Sequence, residues 1–489
     1  MPTRPATGSS QDSSAPALLG GFANLIDGQL VTEGPRLDVI NPATGAVFAQ
    51  CPDTTRPDFD RAVAAARRAF ITWGNTSYQQ RREAIGRMAQ VLLDHQDELA
   101  RLLTLEQGKP LGQARDEISR AASQSVGMAK IEIKGELLED DASRHVELQW
   151  FPLGVVGIIT PWNAPINLAA GPLVSALYTG NTVVLKPSPY TPLCTLRIAE
   201  LLKDVFPAGV LNVVAGGDEL GQWMTSHPGI DKISFTGSVA TGKKVMASAA
   251  GTLKRVTLEL GGNDAAIVLD DVDVKSVAPK LFFGATVNSG QVCMAIKRIY
   301  AHASIYPALC AALAEEARKA RVGNGLDAGT QLGPIQNREQ YDRVVGFIRD
   351  TKASGARILA GGEIPAGPGY FIPPTIVADI DEHHRLVQEE QFGPVVPVLQ
   401  FTDEEDALRR ANDTRYGLSG SVWSRDPQRA ATLAARLEVG TAWANQHRAT
   451  SATIPFGGAK ESGMGRQYHS MGLKGYMEPR VISVLKTPA

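Results

Sequence analysis

The sequence predicts an α/β protein with two doubly wound units in one chain. Three observations carry this. From Val155 onward, short and almost wholly apolar runs alternate with segments whose apolar residues recur at helical spacing, as in a parallel sheet covered by helices on both faces. The alternation comes in two series, one ending at Glu259 and one starting at Ala265. A length of 489 residues suits two or three domains.

The first part of the chain prepares this core. Val39 to Gln50 reads as strands broken by an Asn41-Pro42 turn and reversed at Thr44-Gly45. Asp58 to Trp73, Arg81 to Gln107 and Asp116 to Ile133 read as three helices, the second stopped by Gly108 and Pro110. Arg144 to Phe151 alternates like an extended strand. The first α/β series then runs Val155–Thr160, helix Leu168–Tyr178, Thr182–Lys186, helix Leu196–Phe206, Val210–Ala215, Lys232–Thr236 and Arg255–Glu259. The second has apolar runs at Ala265–Leu269, Ile299–His302, Val395–Phe401, Gly420–Trp423 and Thr441–Asn445. Its helices are expected at Val272–Asn288, Tyr306–Arg321, Arg338–Ser354, Glu404–Asn412 and Pro427–Leu437. Arg144–Phe151 and Pro479–Leu485 are extended segments without covering helices, and unpaired edges invite another chain, so a subunit contact is expected there.

Composition excludes several classes. Hydrophobic residues make up 43% and charged residues 20%, with a net charge of −2, so no basic field awaits a nucleic acid. No apolar run reaches bilayer length, so no membrane partner is expected. The Ser- and Pro-rich start, 1–20, reads as a disordered tail rather than a signal peptide. Cys51, Cys194, Cys293 and Cys310 fit neither a metal motif nor a disulfide framework, so no metal is expected, and isolated thiols favour a reducing, cytoplasmic setting. Three of the four read as structural: Cys51 opening a loop after a strand, Cys194 starting a helix, and Cys310 on the apolar face of one.

The stretch from Glu259 to Cys293 carries the chemistry. Glu259-Leu260-Gly261-Gly262-Asn263 offers a carboxylate beside two glycines, and Asn288-Ser289-Gly290-Gln291-Val292-Cys293 offers one thiol in a small polar loop. A nucleophile with a base in reach is the minimal unit of covalent catalysis. Lys297 and Arg298 follow, and cationic surroundings favour a thiolate. Four further motifs stand at strand ends or in loops. Gly237-Ser238 opens a helix and suits a phosphate, or is an ordinary helix cap. Lys186-Pro187-Ser188 places a lysine near the crevice of a parallel sheet, or on a solvated surface. Thr160-Pro161-Trp162-Asn163 could aim an amide at a carbonyl oxygen, or only cap a helix. Glu390 and Phe392, in Glu389-Glu390-Gln391-Phe392-Gly393-Pro394, could hold a sugar diol and stack on a ligand, or form a charged turn.

In this order the motifs resemble the aldehyde dehydrogenase superfamily, from about Ile26 to Leu485. The Glu-Leu-Gly-Gly and Gly-Gln-x-Cys stretches resemble its two signatures. The resemblance implies a Rossmann-like NAD(P)-binding domain (21–133 and 153–260), an α/β catalytic domain (261–465) and a small β oligomerisation domain (134–152 and 466–489). It implies oxidation of an aldehyde to its carboxylic acid in a homodimer or homotetramer. Cys293 is then the nucleophile that forms a thiohemiacetal and a thioester, Glu259 the base that activates water, and Asn163 with the Cys293 N–H the oxyanion donors. Thr160, Pro161, Trp162, Lys186, Ser188, Gly237, Ser238, Leu260, Gly261, Glu390 and Phe392 are implied contacts of the cofactor, and Leu168, Val292, Arg448 and Phe456 of the substrate.

Two departures bear on specificity. Pro189 stands where many NAD-preferring members carry a glutamate that would repel a 2′-phosphate. NAD is favoured because no added arginine is evident near the site, and NADP stays open. The positions matching the substrate wall, Ala164, Leu168, Gly171, Val287 and Thr450, are modest in size, so a medium or bulky aldehyde is expected, with Gln446-His447-Arg448 near the mouth suggesting a polar or anionic end. Glu259 argues against a coenzyme-A-acylating relative, in which a thiol replaces water. The intact Cys293, Glu259 and Asn163 argue against a non-catalytic protein keeping the fold, and the absence of a Cys–His pattern ranks a cysteine hydrolase last.

Overall fold

The computed structural model describes residues 21–486; the expected tail at 1–20 lies outside the described residues. Two large sheets and one small sheet organise the chain. The first has eight strands. Five of them are parallel, in the spatial order Leu211–Val213, Thr182–Lys186, Val155–Ile159, Lys232–Thr236 and Arg255–Glu259. Chain order therefore reverses direction between Val155–Ile159 and Lys232–Thr236, and a crevice opens at the carboxyl ends of strands at such a switch point. Thr182–Lys186 and Lys232–Thr236 are buried along their whole length, which explains runs without alternation.

The second sheet has seven strands, with Asp264–Val268, Ile296–His302, Val395–Phe401, Ser419–Trp423 and Thr441–Ala444 among its parallel members. The two sheets are not independent along the chain. Gly463–Met464, far along the second series, pairs antiparallel with Leu258 and Glu259 at the edge of the first sheet. The small sheet joins Met477–Leu485, Arg144–Pro152 and Glu136–Asp140. The two segments expected to stand isolated thus pair with each other, and the free edges are the outer strands. Among the described residues, no helix is long and apolar enough to cross a membrane.

Several boundaries differ from expectation. The helix expected over Arg81–Gln107 is two, Tyr78–Asp94 and Gln96–Gln107, broken at His95 (φ −107°, ψ 16°). Both pieces bury one apolar face, so periodicity runs through the break unseen. The first starts early because Ser77 and Gln80 form a reciprocal capping box. The third helix is Leu111–Met128 rather than Asp116–Ile133, because Pro110 is its N-cap and starts it instead of only ending its predecessor. Leu193–Leu201 replaces Leu196–Phe206; the buried Glu106 carboxylate accepts from Leu193 N at 2.7 Å and Cys194 N at 2.9 Å and so fixes where this helix begins. Cys51 lies inside the strand Ala46–Pro52, not at a loop, and like Cys194 and Cys310 it is buried.

Candidate active site

Three strands of the first sheet deliver their carboxyl ends to one cavity of about 270 Å³. Val155–Ile159 leads to Pro161, Trp162 and Asn163; Lys232–Thr236 leads to Gly237 and Ser238; Arg255–Glu259 ends on Glu259 and continues into Leu260 and Gly261. Glu390 and Phe392 close the cavity from the second unit, and Cys293 stands in its wall. A second cavity, of about 320 Å³, lies against the same thiol. Asn163, Leu168 and Cys293 line both. The thiol therefore sits in a partition between two chambers, and Glu259 lines only the first.

The loop that carries Cys293 is held in an uncommon backbone. Asn288 (φ 52°) and Ser289 (φ 56°) are both left-handed, which costs a non-glycine residue about 1 kcal/mol each. Side chains secure it: Asn288 Nδ2 donates to Asn163 O at 2.9 Å, Ser289 Oγ to Gly333 O at 2.7 Å, and Gln291 Nε2 to Asn288 O at 2.9 Å. Gly290 (φ 74°) follows, and a Cβ there would collide with the Gly393 carbonyl. Such over-determined strain is a mark of functional loops.

Asn163 is buried, and its Nδ2 donates one hydrogen to Gln291 O at 2.9 Å. An amide nitrogen has two hydrogens, so the second stays available. The Cys293 N–H has no acceptor among the described residues. Two donors beside the sulfur are thus unspent.

Electrostatics holds the site neutral at rest. Burial pushes the Cys293 thiol up to about 12, against the pull of Lys297. The expected thiolate-favouring pair acts only weakly: Lys297 Nζ is buried, donates to the carbonyls of Val292 and Cys293, and stands 3.4 Å from Glu390, while Arg298 points elsewhere, to the Asn263, Arg410 and Ala411 carbonyls and the Tyr300 hydroxyl. Burial also drives the Glu259 carboxyl well above the usual range, eased only by Arg466. Both Glu259 oxygens are buried without a hydrogen-bond partner. A native protein rarely leaves a carboxyl so bare; burial favours its protonated form, and once ionised it would face the cavity as an uncommitted proton acceptor, the arrangement a general base needs.

The wall of the first cavity is built from aromatic and backbone elements. Trp162 and Phe392 meet edge to face, with centroids 5.3 Å apart. Ser238 is the N-cap of Val239–Ala250 and accepts from Thr241 N at 3.2 Å, so the cap and the cavity wall are one residue. Glu390 Oε1 accepts from Gly262 N at 3.1 Å, and a Cβ at Gly261 would strike the Glu390 carboxylate. Thr160, Lys186 and Ser188 occupy neighbouring strand ends but do not line this cavity. Thr160 Oγ1 has no partner, and Lys186 Nζ is buried with one long contact to Pro187 O at 3.4 Å, its ammonium pushed down to about 8 by burial. Ser188 Oγ accepts from Tyr190 N. These free polar atoms and the helix N-terminus fit a phosphate-bearing cofactor along the strand ends.

On the other side, Leu168, Val292 and Arg448 line the second chamber with Ala164 and Val287; Gly171, Thr450 and Phe456 do not. Phe456 instead makes a backbone bridge with Gln467 and packs into the core. Phe283 and Met294 supply the apolar wall that sequence reading assigned to it. Sequence reading also missed the helix face Gln113, Asp116, Glu117 and Arg120, whose spacing of three and four residues marks one stripe. Arg343 and Arg415 also line the first cavity; each is engaged, with Glu389 and with Tyr416.

Residues 31–482 match the aldehyde dehydrogenase family. The chain belongs to that family. It is 38% identical over 468 residues to a mitochondrial aldehyde dehydrogenase of Leishmania tarentolae, covering 94% of each chain. The NAD+ complex of an aldehyde dehydrogenase from Bacillus cereus superposes with a TM-score of 0.95 at 36% identity, over 98% of this chain and 100% of that one. Betaine aldehyde dehydrogenase from Staphylococcus aureus, in complex with NAD+, superposes at 0.94 with 35% identity, over 98% of each. As expected for an aldehyde dehydrogenase, this one is a mixed α/β protein with parallel sheets.

Proposed function

We propose that this aldehyde dehydrogenase oxidises a medium or bulky aldehyde to its acid, with NAD as cofactor and Cys293 as nucleophile. One observation carries the reading: Cys293 forms part of the wall between two chambers, with the unpartnered Glu259 carboxyl on one side only. The Cys293 thiol gives up its proton to solvent, and the thiolate sulfur attacks the aldehyde carbon, giving a thiohemiacetal whose oxygen carries the negative charge. The oxygen takes the free Asn163 N–H and the Cys293 N–H, donors worth most where water is excluded. A dinucleotide held by the first cavity would supply the acceptor for the hydride that leaves the carbonyl carbon. What remains on Cys293 is a thioester, and Glu259 removes a proton from the water that cleaves it, returning the thiol and releasing the acid.

Pro161, Trp162, Gly237, Ser238, Leu260, Gly261, Glu390 and Phe392 would hold the dinucleotide, with Thr160, Lys186 and Ser188 further along the strand ends. NAD is supported by the NAD+ complexes among the similar structures. We propose 21–133 with 153–260 for the cofactor, 261–465 for catalysis, and 134–152 with 466–489 for assembly into a homodimer or homotetramer; the two large sheets support the first division, with Gly463–Met464 crossing it to pair with the first sheet. Exposed Leu137, Val481, Val484 and Leu485 on the small sheet support that assembly. Four free cysteines support a cytoplasmic setting.

The test is an aldehyde panel followed by absorbance of reduced nicotinamide, run with NAD and with NADP. Oxidation that depends on Cys293 and needs no coenzyme A supports the reading. Product formed only with coenzyme A would move it to the acylating class, and activity surviving Cys293→Ala would remove the sulfur from the mechanism.

A further inference from the structure

We infer that the second chamber selects aldehydes bearing a carboxylate at the end remote from the carbonyl, gripped by Arg120 and Arg448. The inference deepens the aldehyde oxidation proposed above and rests on it.

The chamber carries five charged side chains besides the reacting sulfur's neighbours. Lys109 and Glu117 are buried and bonded to each other, and Glu117 is further satisfied by Ile166 N at 2.9 Å and Asn167 N at 3.2 Å. That pair cancels. Asp116 is exposed on the same helix as Arg120 and forms no ion pair with it. Against that one carboxylate stand two guanidinium groups, so the chamber keeps a net positive charge.

Arg448 is the unusual one. Its backbone is left-handed at φ 65°, and its Nε is buried without a hydrogen-bond partner. Among the described residues its guanidinium makes no ion pair; its one close companion is the Phe283 ring, 5.8 Å away. Arg298, a fully buried arginine near the site, shows what a structural role looks like: four acceptors surround it, whereas Arg448 is half-buried. A guanidinium carries five donors, and donors left bare in a closed space destabilise the free protein. Arg120 lines the same chamber, also without an ion pair among the described residues, and its charge bears on Arg448. Two like charges at one cavity repel until an anion comes between them. A carboxylate fits the planar fork of arginine in a way that a neutral tail does not, and a cationic tail would be repelled.

The test compares adipate semialdehyde, hexanal and betaine aldehyde on the wild-type enzyme and on Arg448→Gln, Arg120→Gln and the double variant, with thermal melting to confirm folding. The readout is the ratio of kcat/KM for adipate semialdehyde to that for hexanal within each protein. The wild type should favour the semialdehyde by about tenfold or more, and each single variant should cut the ratio by about tenfold, chiefly through KM. Hexanal oxidised as well as the semialdehyde by the wild type overturns the inference alone, as does an unchanged ratio in the variants. If Arg448→Gln does not fold, the exposed Arg120 decides, and its unchanged ratio overturns the inference. No oxidation of any aldehyde by the wild type overturns the underlying reading as well.

Discussion

Asn163 Nδ2 donates to the carbonyl oxygen of Gln291 at 2.9 Å, two residues ahead of Cys293. The side chain expected to steady charge on the substrate is therefore also a brace for the nucleophile's loop. Asn163→Ala should remove both the brace and the free N–H. It should lower kcat/KM by about a hundredfold or more, most of it in kcat, as loss of a preorganised donor does. Steady-state kinetics on one good aldehyde checks this.

Glu259→Gln should separate the two halves of the reaction. The thioester should still form, while its hydrolysis slows by about a hundredfold or more. Rapid mixing should show a burst of reduced cofactor close to one per site, then a slow steady rate. A burst-free slow rate would assign Glu259 to the first half instead.

The thiol held near 12 by burial has a consequence for labelling. Alkylation needs thiolate, and below its pKa the thiolate fraction rises about tenfold per pH unit. Modification of Cys293 in the cofactor-free enzyme should therefore keep accelerating up to at least about pH 10 without a plateau. Mass spectrometry of the labelled protein over a pH series measures it.

Glu106 lines neither cavity yet starts the helix Leu193–Leu201. Glu106→Ala leaves two buried backbone donors without an acceptor and should destabilise the fold by about 2–4 kcal/mol in denaturant titration. Burial pushes this carboxyl up to about 8, above its unfolded value, so it favours the folded state below the unfolded pKa and that contribution is lost as pH rises through about 8. Between about pH 5 and 8 the wild type should lose more stability than Glu106→Gln, which cannot ionise.

The exposed Val484 on the strand Met477–Leu485 offers a handle on assembly. Val484→Asp should shift the sedimentation coefficient toward that of a single chain. A wild type that already sediments as one chain would remove the assembly proposal.

Much of this was legible in the sequence. Thr182–Lys186, Lys232–Thr236 and Arg255–Glu259 emerge with their expected ends because buried parallel strands are short apolar runs between turn residues. Glu259 closes such a strand and Asn163 follows one, while Cys293 stands in the loop that leads into another, Ile296–His302. The misses have physical causes. A one-residue break at His95 leaves helical periodicity intact. Phe456 and Phe283 are both large aromatic residues, and only packing decides which faces the chamber. Arg298 follows Lys297 directly in the chain, yet in an extended strand neighbouring side chains leave on opposite faces, so one serves the site and the other the core.

The shared partition has a last implication. Because the sulfur belongs to both walls, the proposed roles would bring the two reactants to it from different sides, so that neither would have to depart for the other to arrive. The two chambers share only Asn163, Leu168 and Cys293 in their walls, so on the proposed roles the residues that choose the aldehyde would be distinct from those that choose the dinucleotide. Redesign of one lock can proceed with the other key still turning.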